Sequence, residues 1–575
     1  MNRKPEAKKF TWEGGELFYR HWKPAKESDH ILFLFHRGHE HSGRMQELVE
    51  ALDLPDVHVV AWDARGHGQS PGKRGFAPNG FANLVTDMDA FVRGLTTELK
   101  IPMNNVCVVA HSVAAVVASC WVHDLNPGIR ALVLATPALR VRLYVPFALP
   151  GLRLLNKIHP GAKISSYVKG KLLTHDAEQA RVYDADESIT RDISNRILVE
   201  IASAAERVVA DAHTIATPIL MLQASSDWVV DNFVQDQFFA NLGSRCKQRH
   251  DIPGSFHAVF HETSRHNTLG VVRTFLTERW SLPADDGVDP LITAVNVARA
   301  EKLSTKLSIV NPKRWFWLLT RLSMHLPGSL SKGIAIGWKH GFDSGSSLDH
   351  VYQDQAKGIT PLGKLIDRIY LDSVGWRGIR KRGKNMQRAL AKAASLQPDD
   401  EVKVVDIASG PGRYLLDFVR GYGGKISAIG RDRDEQGLKE GRELAKQTNC
   451  DVMRYESGDA FDTDDLAKLS GSINVAVASG VYELFADNAM IQRSIRGIHQ
   501  ALPDGGCFIY TNQPWHPQLE FIARVLPNRD GDPWVMRCRP QAEIDALVAE
   551  IGFEKMQTFS DPWGIFTVSV ARKTK

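Results

Sequence analysis

The stretch VVAHSVAAVVAS, Val108–Ser119, decides the fold of the first half of the chain. A run of β-branched residues ends at Ser112, and a helix of small residues follows. Strand, sharp turn and helix at one serine are the plan of a nucleophile elbow, in which a strained turn lifts the hydroxyl above the end of a buried strand. The usual elbow has glycine two residues before and two after the serine. Here both places hold alanine, Ala110 and Ala114, each adding a methyl where strand and helix cross. Ser112 is expected at positive φ in an elbow shifted to make room for those methyls.

Working outward, HILFLFH (30–36), HVVAWD (58–63), VCVVAHS (106–112), ALVLATP (131–137) and PILMLQAS (218–225) are continuous apolar runs. Such runs suit a parallel sheet covered on both faces. FTWEGGELFYRHW (10–22) predicts an opening hairpin, and the segment between Pro137 and Pro218 predicts a helical cap without strands. An elbow serine needs an acid and a histidine, in that chain order. Asp227 stands in the loop after PILMLQAS, and His257 in the loop after the next short strand. Loops at the carboxyl ends of parallel strands converge, so the three side chains can meet. His257 would then take the Ser112 proton, and Asp227 would orient the ring and stabilise the imidazolium.

His36-Arg37-Gly38-His39-Glu40-His41-Ser42-Gly43-Arg44 and Asp63-Ala64-Arg65-Gly66-His67-Gly68-Gln69-Ser70, with the three residues above, resemble the monoglyceride lipase and lysophospholipase group of α/β-hydrolases. The resemblance covers residues 10–282. It implies catalytic Ser112, Asp227 and His257, and an oxyanion hole made by the backbone N–H groups of Gly38 and Val113. Arg37 departs from the group's glycine. Its guanidinium would either narrow the acyl site or hold a substrate phosphate.

A second series of strands begins near residue 400: VKVVDIAS (402–409), KISAIGRD (425–432), CDVMRYESGD (450–459), INVAVASGV (473–481) and GGCFIYTN (505–512), closed by KMQTFSD (555–561) and GIFTVSVARK (564–573). Five strands with crossovers and a terminal hairpin predict a seven-stranded, doubly wound sheet. Asp406-Ile407-Ala408-Ser409-Gly410-Pro411-Gly412 joins the first strand to a helix. Leu415 replaces the third glycine of a dinucleotide loop, and a phosphate loop's G-K-[ST] ending is absent. The pattern instead resembles the first motif of class I S-adenosylmethionine-dependent methyltransferases. That implies S-adenosyl-L-methionine as cofactor, held by Asp406, Gly410 and Gly412. Asp432 would take the ribose hydroxyls, Asp459 and Ala460 would lie beside the adenine, and Ser479 would lie on the active face. Asp434 competes with Asp432 but falls beyond the apolar run. Tyr482, Glu483 and His516 are polar candidates for positioning an acceptor.

The expected organisation is therefore α/β twice. An α/β-hydrolase domain spans 1–282 with its cap at about 138–217, a linker and basic, aromatic helical bridge spans 283–385, and a Rossmann-like methyltransferase domain spans 386–575. SLPADDGVDP (281–290) reads as a hinge. In NPKRWFWLLTRLSMHLPGSLSKGIAIGWKH (311–340) two readings stand: a helix packing the two domains together with its tryptophans buried, or one lying on anionic lipid.

The net charge of +5 over 575 residues implies no general nucleic-acid role. Six unpaired-looking cysteines point to a reducing compartment. No run reaches the roughly 20 apolar residues of a membrane span, and the first residues lack a signal peptide's apolar core. A cytoplasmic location follows, with attachment to the inner membrane face as a further reading. The composite expectation is a serine ester hydrolase, acting on a small-molecule or lipid ester, joined to a methyltransferase. The alternative is a methyltransferase whose hydrolase fold only binds substrate or partner. No metal site is expected, and the oligomeric state stays open.

Overall fold

The computed structural model describes residues 3–74, 78–189, 191–283, 290–397 and 401–574. The chain forms two compact units, Met1–Asp289 and Pro290–Lys575. Most of the expected hinge, residues 284–289, lies outside the described residues.

The first unit opens with an antiparallel hairpin, β1 (Glu6–Trp12) and β2 (Gly15–Trp22). It starts four residues before the expected stretch. β3 (Ile31–Phe35), β4 (His58–Trp62), β5 (Val106–His111) and β6 (Ala131–Ala135) follow. The cap carries a small hairpin, β7 (Lys163–Ser165) with β8 (Asp192–Ser194). The sheet then closes with β9 (Ile219–Ala224) and β10 (Lys247–Ile252). Strand order is β1-β2-β4-β3-β5-β6-β9-β10, parallel from β4 onward. β5 sits centrally with all six residues buried, which is why its sequence runs apolar rather than alternating. One face packs on helices Phe81–Leu99, Val113–Leu125 and Asn195–Ala210, the other on Gln46–Leu52 and Arg265–Ser281. The strandless cap expected from sequence is corrected by β7 and β8. At three residues each they are too short to carry a periodicity.

The second unit holds β11 (Glu401–Asp406), β12 (Lys425–Asp432), β13 (Met453–Ser457), β14 (Val475–Ala478), β15 (Cys507–Asn512), β16 (Phe553–Ser560) and β17 (Thr567–Lys573). The order is β13-β12-β11-β14-β15-β17-β16. Strand order reverses between β11 and β14, and a crevice opens at the carboxyl ends beside such a switch point. Among the described residues, six α-helices of this unit precede its sheet, from Pro290–Ser304 to Val374–Ser395. Asn311-Pro312 and Thr360-Pro361 start two of them with a capping side chain and a proline in the first turn. They share a core with the C-terminal residues, in which Phe342, Trp376 and Ile379 pack with Ile522, Leu526 and Phe566.

Helix Pro312–His325 rests on this body through Trp317, whose ring lies 6.2 Å from Phe521. Trp315, Phe316, Leu319 and Leu322 are exposed and Trp317 is half-buried, so the reading with buried tryptophans is corrected on this helix. No helix among the described residues is long and apolar enough to cross a membrane.

Candidate active sites

In the first unit the elbow forms where β5 meets helix Val113–Leu125. Ser112 has φ 58° and ψ −112°, a region that side-chain-bearing residues occupy only under constraint. The constraint is visible: the Ser112 N–H donates to the Ala135 carbonyl at 2.9 Å, and its own carbonyl accepts from Ala138 at 3.1 Å. Ala110 and Ala114 are both buried, so the two extra methyls are packed inside the corner while Ser112 keeps its positive φ. The loop after β9 places Asp227, and the loop after β10 places His257. Ser112 Oγ lies 2.8 Å from His257 Nε2, and His257 Nδ1 lies 2.8 Å from Asp227 Oδ2. Asp227 Oδ1 accepts from the Val229 and Val230 N–H groups at 2.7 and 3.0 Å, which fixes the carboxylate. The His257 carbonyl accepts from His111 Nε2 and Thr136 Oγ1, each at 3.0 Å, which fixes the loop. All three side chains are buried.

The two loops with family-like sequence buttress this corner. The buried Asp63 carboxylate accepts from Ser42 N at 2.6 Å and Gln69 N at 2.8 Å, tying one loop to the other. His36 accepts from Ala64 N through Nε2 at 3.0 Å and donates from Nδ1 to the Arg37 carbonyl at 2.8 Å. Burial lowers its pKa, keeping it neutral in that tautomer. Gly38 faces Val113: a Cβ at Gly38 would stand 3.0 Å from Val113 Cγ2. Val113 is the first residue of its helix, so its N–H has no acceptor within the helix. The Arg37 guanidinium donates to Glu40 Oε1 at 2.7 Å and lies 5.0 Å from the Tyr183 ring centre. Burial pushes the Glu40 carboxyl up, but Arg37 and Arg44 outweigh it and hold it well below its ordinary range. Ser112 and His257 open onto a cavity of about 740 Å³. Its walls are mostly apolar and include Leu143, Val145, Leu152, Ile164, Ile197 and Ile201 from the cap.

In the second unit Ser409, Gly410, Gly412, Asp432, Asp459, Ala460 and Ser479 line one cavity of about 240 Å³ at the switch point. Gly410 and Gly412 have φ +50° and +66°, and a Cβ at Gly412 would fall 2.9 Å from Met453 Cε. Asp432 braces the turn, accepting from Gly410 N at 2.8 Å and from Asp434 N at 2.9 Å. Asp434 instead caps the next helix, so the two neighbouring acids have separate duties.

Asp406 lies beneath the turn, fully buried, and accepts from the Tyr414 hydroxyl. Burial pushes its carboxyl up to about 7. The Tyr414 and Ala408 donors and Arg382 oppose the rise, and Asp432 adds to it.

The helix Gly345–Gln353 forms a further wall, which the sequence reading placed in a bridge. A Cβ on Gly345 would come 2.9 Å from Pro411 Cδ, and Asp349 pairs with Arg413 at the start of the helix after the turn. The available signal was Ser344-Gly345-Ser346-Ser347, a capped start built of small residues. Of the polar candidates, Tyr482 is buried on Ser494, with 2.9 Å between the hydroxyls. Glu483 and His516 line a second, apolar cavity.

A family model described as "Putative methyltransferase" matches residues 272–573. The chain belongs to that family. A second model, "Serine aminopeptidase, S33", matches residues 26–264. The uncharacterized protein YnbC of Escherichia coli (strain K12) is 42% identical over 569 residues, covering 98% of this chain and 97% of that protein. Phospholipase YtpA of Bacillus subtilis (strain 168) is 26% identical over 257 residues, 44% of this chain and 97% of its own length. The monoglyceride lipase of Rattus norvegicus is 24% identical over 277 residues, 46% of this chain and 88% of its own. The first half is thus related to monoglyceride lipases and a phospholipase, and the second is methyltransferase-like, which implies a methyl donor.

Proposed function

We propose that the protein is a bifunctional enzyme, a serine ester hydrolase joined to an S-adenosylmethionine-dependent methyltransferase. The observation that carries the first activity is the unbroken chain Ser112 Oγ–His257–Asp227 opening on an apolar cavity. His257 Nε2 takes the Ser112 proton as Oγ attacks the ester carbonyl, and Asp227 stabilises the imidazolium. The Gly38 and Val113 N–H groups are assigned to the developing oxyanion. The imidazolium returns the proton to the leaving alcohol, and water then releases the acid by the same steps. About 740 Å³ of mainly apolar space lies within the range of ligand pockets, roughly 300–1,000 Å³, and supports an ester with an acyl chain. Residues 1–282 are assigned to this activity, with the cap at about 138–217. Residues 283–385 are assigned to the helical bridge, whose helices also wall the cavities of the second unit, and residues 386–575 to the sheet and turns that carry the methyltransferase motifs.

The second site fits the donor on its own chemistry. Asp432 presents a carboxylate to the cavity, suited to paired ribose hydroxyls, and the bare glycines leave room for close backbone approach. Asp459 and Ala460 are assigned to the adenine and Ser479 to the active face, all three lining the cavity, and Asp406, buried beneath the turn, is assigned to the cationic end. Bound S-adenosylmethionine supplies an electrophilic methyl group on a sulfonium sulfur. The chain's own part is to orient it and keep water away.

A fluorophosphonate probe tests the hydrolase reading: it should label Ser112 in the folded protein and fail on Ser112→Ala. Absence of labelling with His257 intact would leave only a binding role for the first unit. The exposed aromatic face of helix Pro312–His325, flanked by Lys313 and Arg321, supports peripheral attachment to anionic lipid. Pelleting with anionic vesicles at low salt and release at high salt is the expected result; a protein left in the supernatant in both ends that reading.

A further inference from the structure

Beside the donor cavity of the second unit lies an apolar cavity of about 250 Å³. The two share Asp343, Leu348, Arg382, Gly480 and Leu484 in their walls, so they adjoin at the end of β14. The second cavity is lined by Ile334, Ile366, Ile379, Phe521, Leu526 and Met536, among others. Ile369 lines it too while 65% exposed, which marks a mouth at helix Pro361–Leu371.

At the shared end the chemistry changes. Glu483 Oε1 accepts from Arg382 Nη1 at 3.1 Å, and both side chains are more than nine-tenths buried. The other Glu483 oxygen, Oε2, and Arg382 Nε are buried without a hydrogen-bond partner. One is an acceptor and the other a donor. Unsatisfied buried polar atoms are costly; Arg382 belongs to the wall that the two cavities share, and Glu483 to the wall of the apolar one. His516 lines the same cavity. Its Nδ1 accepts from Gln518 N at 3.0 Å, and its Nε2 would lie 3.0 Å from a Cβ on Gly375, another wall residue. Burial pushes the His516 pKa down to about 4, so the ring is neutral near pH 7.

We propose that this cavity is the methyl-acceptor site and that its ligand is a single-chain amphiphile with a hydroxyl at its head. The chain would lie among Ile366, Ile379, Phe521 and Met536. The hydroxyl would donate to Glu483 Oε2 and accept from Arg382 Nε. On transfer its oxygen would gain the methyl group as the donor's S–C bond breaks, the donor leaving as the neutral thioether and the hydroxyl proton passing to the Glu483 carboxylate. A carboxylate head would face Glu483 with like charge. Ligand pockets commonly span about 300–1,000 Å³, so a cavity of about 250 Å³ admits one chain and excludes a two-chain lipid. The inference rests on the methyltransferase reading of this unit.

The test uses the full chain and an n-alkanol carrying a mid-chain diazirine, with crosslinks mapped by mass spectrometry. Crosslinks are expected within 366–379 and 521–536. Unlabelled n-alkanols should compete with a potency that rises roughly threefold to fourfold per methylene until the cavity is full. Alkanoates of equal length should compete at least tenfold less well. Ile369→Asp changes an exposed side chain, so the fold is kept, and it should weaken labelling in these segments about tenfold. Labelling confined to residues 1–283, or competition independent of chain length, overturns the proposal. Calorimetry with S-adenosylmethionine on the same preparation separates the two claims. Donor binding without alkanol binding overturns the acceptor site alone. Alkanol binding without donor binding overturns its acceptor role together with the methyltransferase reading.

Discussion

Replacing Asp227 by asparagine tests the hydrolase mechanism at its least accessible atom. In the native chain Oδ1 accepts two N–H groups, from Val229 and Val230 at 2.7 and 3.0 Å, and Oδ2 faces His257 Nδ1 at 2.8 Å. The side-chain amide of the Asp227→Asn variant would keep its oxygen on the two backbone donors, which turns its NH₂ group toward Nδ1. Two donors cannot face each other, so the imidazole must move its proton to Nε2. Nε2 is the atom 2.8 Å from Ser112 Oγ and would then no longer accept the serine proton. The same tautomer reversal in a serine protease lowers kcat about 10⁴-fold, equivalent to about 5.4 kcal/mol at 1.36 kcal/mol per tenfold. The assay is hydrolysis of a medium-chain p-nitrophenyl ester, with Ser112→Ala as the floor. Fluorophosphonate labelling of Asp227→Asn should slow in parallel, while the melting temperature stays close to that of the parent. A variant that keeps more than a tenth of parental turnover refutes the role given to Asp227.

Three further outcomes are expected. Glu40→Gln leaves the buried Arg37 guanidinium without its counter-charge, so it should cost about 3–5 kcal/mol of stability in chemical denaturation; a loss under 1 kcal/mol removes the structural role given to that pair. Gly412→Ala sets a methyl 2.9 Å from Met453 Cε at φ +66°. It should weaken S-adenosylmethionine binding at least tenfold in calorimetry, with ester hydrolysis unchanged. Asp406, pushed up to about 7 by burial, gives two pH effects of opposite sign. A cationic donor favours the carboxylate, so affinity should rise as pH rises through 7. The folded protein retains a proton that the unfolded chain releases near 3.9, so stability should fall as pH rises between those values. Asp406→Asn should flatten both profiles, and an unchanged affinity profile in that variant refutes the assignment.

The parts of the molecule readable from sequence were those where one chemical demand fixes many neighbours. Buried parallel strands require continuous apolar runs, and β3, β5, β6, β9, β14 and β15 carry them. The order serine, acid, histidine followed from loops at strand ends, and the structure brings Ser112, Asp227 and His257 within hydrogen-bonding reach. Less legible were features set by long-range packing. Nothing local says that Arg37 turns to Glu40 and Tyr183, since both its surroundings and its partner come from the folded corner. The hairpin of β7 and β8 is too short for any period. The basic, aromatic helical bridge was legible but not the surface its helices cover, so the donor-cavity wall at Gly345, Asp349 and Tyr352 was signalled only by the capped start at Ser344-Gly345-Ser346-Ser347.

The ion pair between Asp349 and Arg413 has a bearing on where this unit begins. A glycine turn is usually thought of as belonging to the strand before it and the helix after it. Here the turn is also clasped from outside by a helix that precedes the first strand by some fifty residues (401 − 349 = 52). A piece of chain that carries the whole donor cavity must therefore start before Asp343, among the helices, not at the sheet. A protein dissected at the first strand would keep every motif residue and lose one side of the pocket.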